Sequence, residues 1–159
     1  MTSTEIKSIS YIYNVNPYSA KKDIYTLFQN TIASNVSNPK GTKIWIFHSD
    51  NDYTGDITKY PVLIIGSPQL PTDMLTMNKK RTASFIQISV YSTSKKQLDE
   101  LSSKIQMTIY DNRRTFMRFN ITGIELSDED DDFQKLNKTD GRHVNDMIFS
   151  FNYTFKQAW

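Results

Sequence analysis

SVYSTSKKQLDELSSKIQ (residues 89–106) changes its hydrophobic period half-way along. Just upstream, Ile86, Ile88 and Val90 alternate, as residues on one face of a strand do. Downstream, Leu98, Leu101, Ile105 and Ile109 recur at the three- and four-residue spacing of a helix face. A strand therefore hands over to a helix near Ser94. The Ser94 hydroxyl is expected to accept from a first-turn amide, and Gln97 to reach back to the Ser94 amide, the reciprocal pair of a capping box. The helix is expected to end near Asp111 and Asn112.

Working back from this junction, TASFIQISVY (residues 82–91) reads as a strand, and SPQLPTDMLTMNKK (67–80) as a projecting loop rich in strand breakers. YPVLIIG (60–66) and KIWIFH (43–48) are short, β-branched or aromatic, and apolar on both faces. They read as central strands, covered on both sides or covered on one and used for contact on the other. The second possibility makes Trp45 and Phe47 candidate interface residues. HSDNDYTGD between them is a second projecting loop. Ala20, Ile24, Leu27, Phe28, Thr31 and Ile32 share one helix face, which Asn35, Asn38, Pro39 and Gly41 terminate. Residues 1–17 fit a strand ending at Tyr13 as well as a short helical turn, and are set apart as an N-terminal extension.

On the far side of the junction helix, RRTFMRF (113–119) reads as a basic, aromatic turn and NITGIEL (120–126) as a strand. SDEDDDFQKLNKTDG (127–141) reads as a charged loop. In the last strand, Met147, Phe149, Phe151, Tyr153 and Phe155 share one face. The whole is an α+β single domain over residues 18–159, a small, mostly antiparallel sheet packed by two main helices.

The 159 residues, 38% of them hydrophobic, suffice for one core. Nineteen basic and seventeen acidic side chains leave a formal charge of +2, which argues for no strong electrostatic partner, so charge has to be read locally. The absence of cysteine rules out disulfides, thiolate metal sites and a cysteine nucleophile. No apolar run is long enough to span a membrane, and the opening MTSTEIKS lacks a signal peptide's apolar segment. The five glycines form neither a phosphate-binding loop nor a nucleophile elbow, and the two histidines, His48 and His143, stand in no catalytic motif. The residues therefore point to no enzyme, cofactor or metal.

Three charged clusters remain. Asp128, Glu129, Asp130, Asp131 and Asp132 lack the alternation and glycine of a calcium loop, and read as a solvated, self-repelling segment. Lys79, Lys80 and Arg81 read as a docking patch for an acidic partner. Arg113, Arg114 and Arg118, interleaved with Phe116 and Phe119, have the composition of a single-strand nucleic-acid grip, but also of a helix end whose phenylalanines face the core. The interface candidates are thus Trp45, Phe47, Lys79, Lys80, Arg81, Asp130, Asp131 and Asp132.

The order of elements, with "YPVLII", "FIQISVYS", "KKQLDELSSKIQMTIY", "GIEL" and the closing "HVNDMIFSFNYTFK", resembles that of the tail terminator (tail completion) proteins of long-tailed bacteriophages and related viruses over residues 18–156. The resemblance implies a non-enzymatic ring, usually of six subunits, in the tail-neck region of a virion assembled in the host cytoplasm. Such a ring sits on the last ring of tail tube protein, stops tube growth and meets the head connector. It lets genomic DNA pass its lumen without specific binding, and involves no membrane. The N-terminal extension and the acidic segment depart from that pattern. They keep open a neighbouring neck protein, and the basic clusters a nucleic-acid-binding accessory protein.

Overall fold

The computed structural model describes residues 17–48, 61–70, 79–135 and 141–156. The projected segments 49–60 and 71–78, and the extension up to residue 16, lie outside them. Helix α1 (Pro17–Asn35) starts at a proline, which is tolerated there because the first amides of a helix have no intrahelical acceptor. Ala20, Ile24, Leu27, Phe28 and Ile32 are buried, as their spacing predicts. Asn38 organises the exit: its Oδ1 accepts from the Lys40 amide at 2.8 Å and its Nδ2 donates to the Lys43 carbonyl at 2.7 Å.

Among the described residues, five strands form one sheet in the order β1-β2-β3-β5-β4. They are β1 (Ile46–His48), β2 (Val62–Ile65), β3 (Lys79–Ser92), β4 (Ile121–Lys135) and β5 (Gly141–Lys156). Only β1 and β2 run parallel; the other pairs are antiparallel. The expectation of two central strands holds for β2 but not for β1, which is a three-residue edge strand.

The junction near Ser94 forms with one difference. Ser94 is the extended N-cap of α2 (Lys95–Asp111), and its Oγ accepts from the Gln97 amide at 3.3 Å. Gln97 does not reach the Ser94 amide directly. Fully buried Ser92 stands between them: its Oγ accepts from the Ser94 amide at 3.1 Å and donates to Gln97 Oε1 at 2.7 Å. The α2 helix buries Leu98, Leu101, Ile105 and Ile109 and ends at Asn112, whose Nδ2 donates to the Thr108 carbonyl at 2.7 Å.

Three further expectations are corrected. RRTFMRF opens as a short helix, α3 (Arg113–Met117), rather than a turn. The loop expected to run through Lys80 gives way to β3 at Lys79, and the charged segment up to Lys135 belongs to β4 instead of a loop. The cause is the same in both places. Strand β5 extends from Gly141 to Lys156 and offers backbone partners along its whole length. Ladder hydrogen bonds hold these polar stretches, whose side chains show no strand pattern.

The three helices among the described residues lie on one face of the sheet. That face carries Ile86, Ile88 and Val90 of β3 and Met147, Phe149 and Phe151 of β5, all buried. Phe28 joins α1 to the rest, with its ring 4.7 Å from Phe116 of α3 and 5.9 Å from Phe151.

Candidate functional site

Antiparallel partners point to the same side of a sheet, so the register assigns the second face. It carries Phe85, Gln87 and Ser89 of β3, Ser150, Ile148 and Asp146 of β5, and Glu125, Asp128 and Asp130 of β4. No described helix or strand covers it. Phe85 is 42% exposed there, beside a shallow groove of about 400 Å³ lined by Ile64, Ser67, Gln69, Gln87 and Tyr91 among others. Gln69 is tied to the same edge by two backbone bonds with Phe85, at 2.8 and 3.2 Å.

Two irregularities in β4, between Thr122 and Glu125 and between Leu126 and Asp128, decide which acids face which way. At the first, Gly123 adopts φ +64°, a left-handed conformation that glycine takes without strain. At the second, the Leu126 amide donates to the Tyr110 hydroxyl at 3.0 Å and Ser127 Oγ donates to the Ile148 carbonyl at 3.0 Å. The acidic run is thereby divided. Glu129 turns to the helix side, where its Oε1 accepts from Asn145 Nδ2 at 2.7 Å and Gln106 Nε2 at 3.3 Å. Asp128 and Asp130 stay on the open face. Asp130 lies directly across from Asp146, whose Oδ1 accepts from Ser89 Oγ at 2.5 Å.

The candidate interface residues fall into three groups. Trp45 is 1% exposed and belongs to the core, so it offers no surface; Phe47 is half-buried on the edge strand β1. Lys79, Lys80 and Arg81 open β3, paired with Lys156, Phe155 and Thr154. Asp130, Asp131 and Asp132 are paired with Asp146, Asn145 and Val144, towards the other end of β5. Ten positions of β5 separate Asn145 from Phe155, about 33 Å at roughly 3.3 Å per residue.

The α3 arginines join the basic end, because α3 leads through Asn120 into the start of β4, where the Thr154 amide donates to the Asn120 carbonyl at 3.2 Å. Arg113, Arg114 and Arg118 are exposed, and Arg113 Nε donates to the Tyr110 carbonyl at 3.0 Å. Phe116 is fully buried and Phe119 packs against the core, so the aromatic rings a nucleic-acid grip would stack on are used internally. Sequence reasoning missed the open-face acids Glu125 and Asp146, since only the pairing register brings them beside Asp128 and Asp130.

The histidines do not form a site together. His48 Nε2 lies 3.2 Å from Ser67 Oγ, with the Tyr25 ring edge-on at 4.6 Å, while His143 is in β5, three strands across and four positions along from the residue in register with His48, roughly 19 Å away. Among the described residues no three His, Cys, Asp or Glu side chains gather as a metal site, and no helix is long and apolar enough to cross a membrane. Tyr153, 4% exposed, has its phenol pushed up to about 12, first by burial and then by the Asp23 carboxylate.

No family model and no curated protein sequence matches the chain. Among solved structures, a chain from one described as "Virion of native gene transfer agent (GTA) particle" aligns with 80% of this chain and 84% of its own, at 7% identity and a TM-score of 0.39. Likeness at that depth does not establish a shared fold.

Proposed function

We propose that this protein is a non-enzymatic structural component of a phage-like virion, and specifically a tail-terminator-like ring subunit. The ring, usually of six copies in the proteins it resembles, would close the tail tube, end tube growth and present a surface to the head connector or neck protein. DNA would pass through the lumen without specific binding. The observation that carries this reading is the separation of charge along one stiff ribbon. Strands β3, β5 and β4 hold Lys79, Lys80, Arg81 and the α3 arginines near one end and Asp128 to Asp132 towards the other. A body with unlike ends and a bare sheet face suits head-to-tail contact, the kind that closes into rings. An accessory nucleic-acid-binding role is the weaker reading, because Phe116 and Phe119 are turned inward.

The test is a reconstruction of particles carrying a labelled copy of the chain, with light scattering on the purified protein. A ring between tube and connector is the expected result. A single copy on the tail axis, or label on the capsid or fibres, would refute the tail-terminator assignment.

A further inference from the structure

Two exposed surfaces of this chain match each other in spacing, charge and polarity. On α3, Arg114, Met117 and Arg118 stand at i, i+3 and i+4, so they share one helix face, with the two arginine Cβ atoms roughly 6 Å apart. Arg118 keeps helical angles as the C-cap, φ −63° and ψ −21°. Met117 between them is 59% exposed, although Phe116 beside it is fully buried. The result is an apolar ridge flanked by two cations.

On the open sheet face, Ile148 is half-buried and lies directly across from Asp128, with Asp130 across from Asp146 and Glu125 across from Ser150. Asp128 and Asp130 are two positions apart on one strand face, roughly 7 Å. No ion pair is formed by Glu125, Asp128, Asp130 or Asp146 among the described residues. Asp130 and Asp146 oppose one another across the strands, a like-charge arrangement that costs stability until a cation is brought to it. Phe85 lies on the same face, across from Ser150 and diagonal to Ile148.

We infer that the Arg114–Met117–Arg118 ridge of one copy docks on the Asp128/Asp130/Ile148 surface of a second copy. The occupant is a second copy because both halves of the match are in the same sequence and cannot meet within one chain. Strand β4 starts next to α3 at Ile121, across from Tyr153, and Tyr153 lies five to seven positions along β5 from Ile148 and Asp146. That is about 20 Å, beyond an arginine's reach. A contact of this type is heterologous: each copy donates a ridge and offers a socket, as a closed ring requires. The inference rests on the ring reading above and specifies its contact.

Charge reversal tests it. Wild type is expected to be a salt-sensitive oligomer by light scattering. The variants Arg114→Glu/Arg118→Glu and Asp128→Arg/Asp130→Arg are each expected to raise the concentration for half-assembly at least about tenfold, with unchanged circular dichroism. Combining all four changes in one chain restores complementarity, and assembly is expected to return. An oligomeric wild type whose charge-reversed variants also assemble would overturn this contact while leaving the ring intact. Dissociated variants that the fourfold combination does not rescue would overturn the pairing of these surfaces. A wild type that stays monomeric at every concentration and salt tested would refute both the contact and self-assembly in the free protein.

Discussion

Ser92 is predicted to matter more to the strand–helix junction than the cap residue itself. Replacing Ser94 by Ala removes one side-chain bond, to the Gln97 amide at 3.3 Å, at an exposed position where water can substitute. The expected loss is about 1 kcal/mol. Replacing Ser92 by Ala removes two bonds, at 3.1 and 2.7 Å, from a hydroxyl that is fully buried. At about 1 kcal/mol each, the expected loss is about 2 kcal/mol. Because Gln97 Oε1 accepts from Ser92, the two side chains are coupled, and Gln97→Ala should cost about 1 kcal/mol less in the Ser92→Ala background than in the wild type. Urea denaturation followed by circular dichroism, with unchanged slope, measures all three changes. A Ser92→Ala loss smaller than that of Ser94→Ala, or a double variant additive within about 0.3 kcal/mol, would refute the relay.

Trp45→Ala is predicted to destabilise by about 4 kcal/mol, as for a core aromatic, and Phe47→Ala by clearly less; the reverse order in chemical melts would contradict their placement. Tyr153 ionises near 10.0 in the unfolded chain and near 12 in the fold, so the folded state holds one more proton in that window. Stability should then be intact below 10 and fall by about 1.4 kcal/mol per pH unit above it, a slope that melts of Tyr153→Phe at alkaline pH should lack. Replacing Asp130, Asp131 and Asp132 by Asn should leave the thermal midpoint unchanged or slightly raised, since Asp130 opposes Asp146. If calcium or magnesium raised the wild-type midpoint by many degrees and that of the Asn variant not at all, a cation site would have to be accepted.

Most of the architecture was legible wherever a buried face left its period in the sequence. Leu98 to Ile109 marked α2, the aromatic alternation from Met147 marked β5, and the mixed α+β class followed from their order. What stayed hidden was held by backbone pairing alone. Lys79 to Arg81 and Asp128 to Asp132 carry no apolar alternation, and only the length of β5 draws them into strands. KIWIFH misled differently: its apolar side chains belong to a short edge strand with Trp45 turned inward, and composition cannot tell that from a central strand. The charged clusters were visible as composition. Their placement, the basic residues at one end of a single ribbon and the acids from its middle towards the other, depends on register, to which no single residue testifies.

The two irregularities in β4 give that strand an uneven count. Its helix-facing positions run Ile121, Ile124, Leu126, Glu129, at steps of three, two and three, where a regular strand steps by two. Each extra residue reverses the phase of everything beyond it. Deleting Ser127 would leave Leu126 and Asp128 consecutive, across from consecutive Phe149 and Ile148, so the strand would become regular there with Asp128 and Asp130 still on the open face and Glu129 still on the helix side. The irregularity thus holds one spare residue, which a single deletion at that point can absorb. A chain lacking Ser127 should therefore keep the pairing of β4 with β5 on both sides of the deletion, and with it the sidedness of every acidic residue.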